Sequence, residues 1–195
     1  MSYHPDLHHR QSIRLREFDY AGGGGYFVTL CAWQRECLFG DVMDGGIRVN
    51  EFGRVAGEYW AAVPEHFPQV QLDAFVVMPN HLHGILIFDH RHPAVGAQHA
   101  APVHGEADKM PGAMAKRGIT PNNVIPGSLG AVIRSFKSVV TKRINAMRDN
   151  PGCPVWQRNY YEHVIRDERD LHAIRQYITD NPAKWESDAN HPARL

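Results

Sequence analysis

The stretch Phe75-Val76-Val77-Met78-Pro79-Asn80-His81-Leu82-His83-Gly84-Ile85-Leu86-Ile87-Phe88 decides how this chain is read. Two apolar runs flank Pro79-Asn80, which predicts two β-strands, 71–77 and 81–88, joined by a tight connection. Side chains alternate faces along a strand, so His81 and His83 share a face, about 6 to 7 Å apart. Two imidazoles at the start of a buried strand are costly unless something uses them. Two uses fit: hydrogen bonding within the fold, and a divalent metal.

Working outward, Tyr26 to Trp33 is rich in β-branched and aromatic residues and predicts the first strand. Asp44-Gly45-Gly46 suggests a turn between two short strands. Glu51 to Val63 predicts a helix, with Phe52, Val55, Tyr59 and Ala62 at helical spacing and Pro64 ending it. On the far side, Ser128 to Arg148 predicts a long helix. Its apolar stripe is Leu129, Val132, Ile133, Phe136, Val139, Val140, Ile144 and Met147, and Ser128 is its N-cap. Tyr160 to Arg166 alternates and predicts the last strand. A helix follows from Glu168 to about Asn181, with Leu171, Ile174 and Ile178 facing the core and Pro182 stopping it. Tyr177 and Asn181 lie four apart and share one helix face.

The order is strand, helix, strand, strand, helix, strand, helix. This is an α+β chain, and its first six elements match a ferredoxin-like antiparallel sheet with helices on one face. The C-terminal helix is an addition. If it lies against the sheet near strand 81–88, Tyr177 and Asn181 reach the two histidines.

The predicted organisation is a polar arm at 1–25 ending in a Gly hinge, one domain at 26–188, and a tail at 189–195. Residues 89–127 are rich in Ala, Gly, Pro and His and read as a low-complexity loop insertion. His90, His92, His99 and His104 lie there and suit either a solvated linker or a second metal site.

At 195 residues and 43% hydrophobic, the chain suits one core. Lys+Arg and Asp+Glu are both 21, so no global charge pulls it toward nucleic acid. A local patch must do so instead. Helix 128–148 carries Arg134, Lys137, Lys142, Arg143 and Arg148 and no acidic residue. Arg134, Lys137, Lys142 and Arg148 fall opposite the apolar stripe and make a candidate DNA-phosphate surface; a solvated helix face is the plainer alternative. Arg143 falls on the stripe side. The three cysteines form no Cys-x-x-Cys pair, and no run approaches a membrane span. Both features lead us to expect a cytoplasmic protein with no membrane partner.

The chain resembles the single-tyrosine HUH transposases, and most of all their REP-associated tyrosine transposase branch. The matching stretches are SIRLREFDY (12–20), YFVTLCAWQRECLFG (26–40), NEFGRVAGEYW (50–60), LDAFVVMPNHLHGILI (72–87), SFKSVVTKRIN (135–145) and VWQRNYYEHVIRDERDLHAIRQYITDNPAKW (155–185). Pro-x-His-hydrophobic-His, then Trp-Gln, then Tyr four before Asn-Pro is far more restrictive than any one piece. The resemblance implies that His81 and His83 bind a divalent metal, Mg²⁺ or Mn²⁺. It implies that Asn181 is the third ligand and Tyr177 the nucleophile. The implied reaction is cutting and rejoining of single-stranded DNA next to hairpins through a 5′-phosphotyrosine, by a monomer or a homodimer. No P-loop is present, in keeping with chemistry that conserves the energy of the broken ester.

Two other readings use the same residues. A non-catalytic hairpin binder needs neither the His pair nor Tyr177. A metal-dependent phosphodiester hydrolase needs the His pair but leaves no covalent adduct. Tyr160 and Tyr161 are the alternative nucleophiles, and Asn181 also suits a plain helix C-terminus. Trp156 and Gln157 suit either base stacking or anchoring of the strand.

Overall fold

The computed structural model describes residues 24–89 and 125–194. The expectations for the 1–25 arm up to residue 23, for residues 90–124 of the loop with its four histidines, and for Leu195 lie outside the described residues.

Strands β1 (Gly24–Cys31), β4 (Val70–Met78), β5 (His81–Phe88) and β6 (Tyr161–Ile165) form one antiparallel sheet in the order β4-β5-β1-β6. That order, with β5 and β1 central, is the expected ferredoxin-like one. Strands β2 (Gly40–Met43) and β3 (Gly46–Val49) make a separate hairpin. Its turn residues Asp44 and Gly45 sit at φ 53 and 72, the paired left-handed geometry that asks for Asp-Gly.

Helix α1 (Glu51–Ala61) starts at Asn50, whose side chain accepts from the amides of Phe52 and Gly53. A four-residue helix α2 (Val63–His66) follows. Helix α3 (Leu129–Met147) starts at Ser128 as read, and its stripe Leu129, Val132, Ile133, Phe136, Val140 and Ile144 is buried. These helices cover one sheet face. The main core there joins Tyr26, Val28 and Leu30 of β1, Leu82 and Leu86 of β5, and the inner faces of α1 and α3.

Two stripe readings need correction. The buried face of α1 is Val55, Ala56 and Trp60, while Tyr59 is exposed. The reason lies across the sheet. Gly84 leaves room for the Trp60 ring, and a Cβ at Gly84 would stand 2.4 Å from Trp60. Arg143, placed by the wheel on the stripe side, is exposed, because the last turns direct Ile144 and Asn145 inward.

Helix α4 (Glu168–Asp180) covers the opposite face. Ile178 is buried there against Phe27 and Ile85, with Leu171 and Ile174 partly buried beside them. Among the described residues, no helix is long and apolar enough to cross a membrane.

Candidate metal and nucleophile site

Strand pairing builds the floor of the site. Cys31 pairs with His81 and Thr29 with His83, so the two histidines emerge on the α4 face from the middle of the sheet. Both are buried, at 0% and 1% exposure. Their Nε2 atoms lie 3.0 Å apart. Each ring is held from behind: His81 Nδ1 is 2.8 Å from Asn80 Oδ1, and His83 Nδ1 is 2.8 Å from Thr29 Oγ1. Burial pushes the His81 imidazole down to about 4; Asp188 opposes that shift and Arg35 adds to it. Burial, and then the neighbouring His81, hold His83 well below its ordinary value. Both rings are therefore neutral near pH 7, the form that binds metals.

Helix α4 forms the roof. Asp167 caps it by accepting from the Asp170 amide at 2.8 Å. Arg175 pins it to β4 through two hydrogen bonds to Asp73, at 2.8 and 2.6 Å. Near the start of the helix, Asp170 meets His163 of β6 at 2.9 Å. So held, α4 sets the Tyr177 hydroxyl 3.3 Å from His83 Nε2 of the same chain. The Tyr177 ring stands edge-on to Phe27 at 5.9 Å and remains 44% exposed. Burial raises its phenol above the ordinary value, the Asp188 carboxylate adds to this, and the Asn181 amide works against it.

Beyond Pro182 the chain turns back in a short 3₁₀ segment, Pro182–Ser187. Trp185 lands 6.0 Å from the His81 ring. Asp188 then enters the site, and its carboxylate and the two histidines have ligand atoms all within 4.8 Å of one another. Asn181 donates through Nδ2 to Asp188 Oδ2 at 3.0 Å. Its Oδ1 is buried with no hydrogen-bond partner among the described residues.

The sequence-predicted residues thus divide. His81, His83, Tyr177 and Asn181 converge. The sequence reading missed Asp188: it lies six residues beyond Pro182 in a stretch without periodicity, and nothing local marks it. The basic helix splits as well. Lys137 donates to the carbonyls of Gln157 and Asn159, both at 2.9 Å. Burial lowers its ammonium to about 8, with Cys31 acting against the shift. Arg148 reaches Asn145 Oδ1 and the Cys153 carbonyl. Arg134 and Lys142 are exposed. Trp156 packs between Phe39 and Phe136 and belongs to the core, which answers its reading in favour of anchoring. Tyr161 is 49% exposed on the site face, while Tyr160 is partly buried against the main core.

Two facing imidazole lone pairs, a buried carboxylate and an unpartnered amide oxygen form a donor set that suits a divalent cation. Without one, bare Nε2 atoms 3.0 Å apart repel each other unless one of them carries a proton.

No protein-family profile matches the chain. An uncharacterized protein of Haemophilus influenzae is 38% identical over 186 residues, covering 95% of each chain. This chain belongs to the same family as that protein. Among solved structures, a REP-associated tyrosine transposase bound to a REP hairpin superposes with a TM-score of 0.55 at 18% identity, over 88% of this chain and 73% of the other. The fold is that of a REP-associated tyrosine transposase.

Proposed function

We propose, with that family and that fold as the premise, that the chain is a DNA transposase that cuts and rejoins single-stranded DNA through Tyr177. The observation that carries the proposal is the Tyr177 hydroxyl 3.3 Å from His83 Nε2, beside a second buried imidazole. A Tyr there purely for packing has no need of that contact.

In the proposed reaction, the Tyr177 oxygen attacks phosphorus, its proton passes to solvent, and the departing 3′ oxygen takes a proton up from solvent. The bond from phosphorus to the DNA 3′ oxygen breaks. The products are a 5′-phosphotyrosine and a free 3′-hydroxyl, and rejoining runs the step backward with another strand end. One P–O ester replaces another, so no external energy source is required. A divalent ion held by His81, His83 and Asp188, with Asn181 Oδ1 as a further oxygen, would neutralise charge on the phosphate and favour the phenolate. Imidazole ligands suit Mn²⁺ better than Mg²⁺. The chain's own residues do the rest. Asn181 holds the Asp188 carboxylate. The Tyr177 hydroxyl stands beside His83 Nε2, the atom that would hold the ion, so the attacking oxygen is set next to the metal position. The Arg175–Asp73 pair keeps α4 in register. Because Tyr177 lies over its own histidines, the proposed nucleophile acts within one chain, and a monomer suffices. The proposed partner is hairpin or single-stranded DNA, by likeness to the hairpin-bound neighbour.

The test is incubation with hairpin-flanked single-stranded DNA and Mn²⁺, followed by a denaturing gel. Wild type should give a protein–DNA adduct attached through the DNA 5′ side. Tyr177→Phe should bind the DNA, cut nothing and form no adduct. An undiminished adduct in Tyr177→Phe would move the nucleophile to Tyr160 or Tyr161. Cleavage without any adduct would support a hydrolase.

A further inference from the structure

Asn80 is fully buried between the two strands of the hairpin that carries the histidines. Its Nδ2 donates to the Arg35 carbonyl at 3.0 Å and to the Asn190 carbonyl at 2.8 Å. Carbonyl oxygens only accept, so this amide has one orientation. A flip would press Oδ1 against both of them. With Nδ2 committed, Oδ1 faces His81 Nδ1 at 2.8 Å, and it too can only accept. The His81 proton therefore sits on Nδ1, and Nε2 is left bare toward the site.

His83 has a different backing. Its Nδ1 meets the Thr29 hydroxyl, which donates or accepts equally well. With His81 Nε2 bare, the 3.0 Å contact between the rings is a hydrogen bond only if His83 Nε2 carries the proton. Thr29 then donates to His83 Nδ1. Rotation of the Thr29 hydroxyl lets His83 take the opposite form. One ring is locked and the other can adapt.

We propose that Asn80 is a positioning residue, which fixes His81 as the Nδ1–H tautomer and so presents a bare Nε2 to the site. Its own orientation is imposed from two distant parts of the chain, the Trp33–Glu36 turn and the Asp188–Asn190 segment. The latter is tied down in turn by the Asn190 amide donating to Asp188 Oδ1. The same segment that delivers the carboxylate also sets the histidine tautomer. The inference deepens the proposed function and rests on His81 being a metal ligand.

The experiment is long-range proton–nitrogen NMR on the full chain with labelled histidine in EDTA, paired with Mn²⁺ calorimetry. Wild-type His81 should be Nδ1–H. In Asn80→Ala, Nε2–H should become populated, and Mn²⁺ affinity should fall by roughly 10- to 100-fold. Asn80→Asp keeps an acceptor for His81 but loses both donors. It should retain the Nδ1–H form and keep most of the affinity. If Asn80→Asp folds and still populates Nε2–H as Asn80→Ala does, Asn80 merely ties two carbonyls and the proposal is overturned. Wild-type His81 found as Nε2–H overturns it too, even where Asn80→Ala does not fold. Nδ1–H in a wild type that binds no Mn²⁺ would uphold the tautomer assignment and remove the metal reading instead.

Discussion

The two faces of the central sheet obey different physics. On the α1/α3 face, Trp60, Leu82, Leu86, Ile133 and Phe136 belong to one large apolar cluster, with Glu162 of β6 and Asn145 of α3 among the few buried polar side chains there. On the α4 face, the buried apolar cluster is Phe27, Ile85 and Ile178, and beside it Thr29, His81, His83, Asn181, Asp188 and Trp185 are buried. The first face gains from removing apolar surface from water, which is non-directional. The second depends on directed hydrogen bonds and one two-pronged ion pair, and these matter only if geometry is kept. The comparison suggests that stability resides on one face and chemistry on the other.

That division can be broken most directly at the site. His83→Ala should reduce metal-dependent cleavage to background and abolish Mn²⁺ binding, while leaving the melting transition cooperative. If the variant cleaves DNA normally, the α4 face is not the chemical one.

The converse experiment is on the core face. Trp60→Ala should cost about 3–5 kcal/mol in denaturant unfolding, because it opens a large cavity next to Gly84. At temperatures where the variant stays folded, it should still form an adduct. Loss of adduct formation at unchanged stability would show that the two faces are coupled.

Acid should reveal the cost of the polar face. The folded chain holds His81 near 4, whereas the unfolded chain titrates near 6.5. Between those values the unfolded state binds more protons, so stability in EDTA should be full above about pH 6.5 and decline toward pH 4. The loss is on the order of 3 kcal/mol from His81, with His83 adding to it. A flat profile across that window would mean the histidines are not buried as neutral rings.

The smallest effects sharpen the picture at α3. Lys137→Ala should lower stability by about 1–3 kcal/mol, since it strands two carbonyls, with little change in the salt dependence of DNA binding. Removing Arg134 and Lys142 together should leave stability alone and reduce the log-log salt slope by about 1.4 if both meet phosphate of single-stranded DNA. An unchanged slope would turn this surface away from DNA.

Much of this architecture is legible in the chain itself. The two apolar runs in 71–88, the cap at Ser128 and the stop at Pro182 depend on a few neighbouring residues, and the elements appear close to where those signals place them. The wheel failed at α1, where Tyr59 and Trp60 are adjacent and both large. Which of them turns inward depends on Gly84, 24 positions away, and not on helical period.

The sequence by itself determined the elements, the shared face of His81 and His83, and the shared face of Tyr177 and Asn181. Those follow from fixed periods of strand and helix. Only the tertiary structure decided that α4 lies across the sheet face opposite α1 and α3. It also decided that Lys137 and Arg148 serve the chain's own carbonyls, and that Asp188 and Asn190 return to meet the histidines. Those are contacts between segments far apart in sequence. Such contacts are set by packing and by the need to satisfy buried polar groups, and no local pattern encodes them.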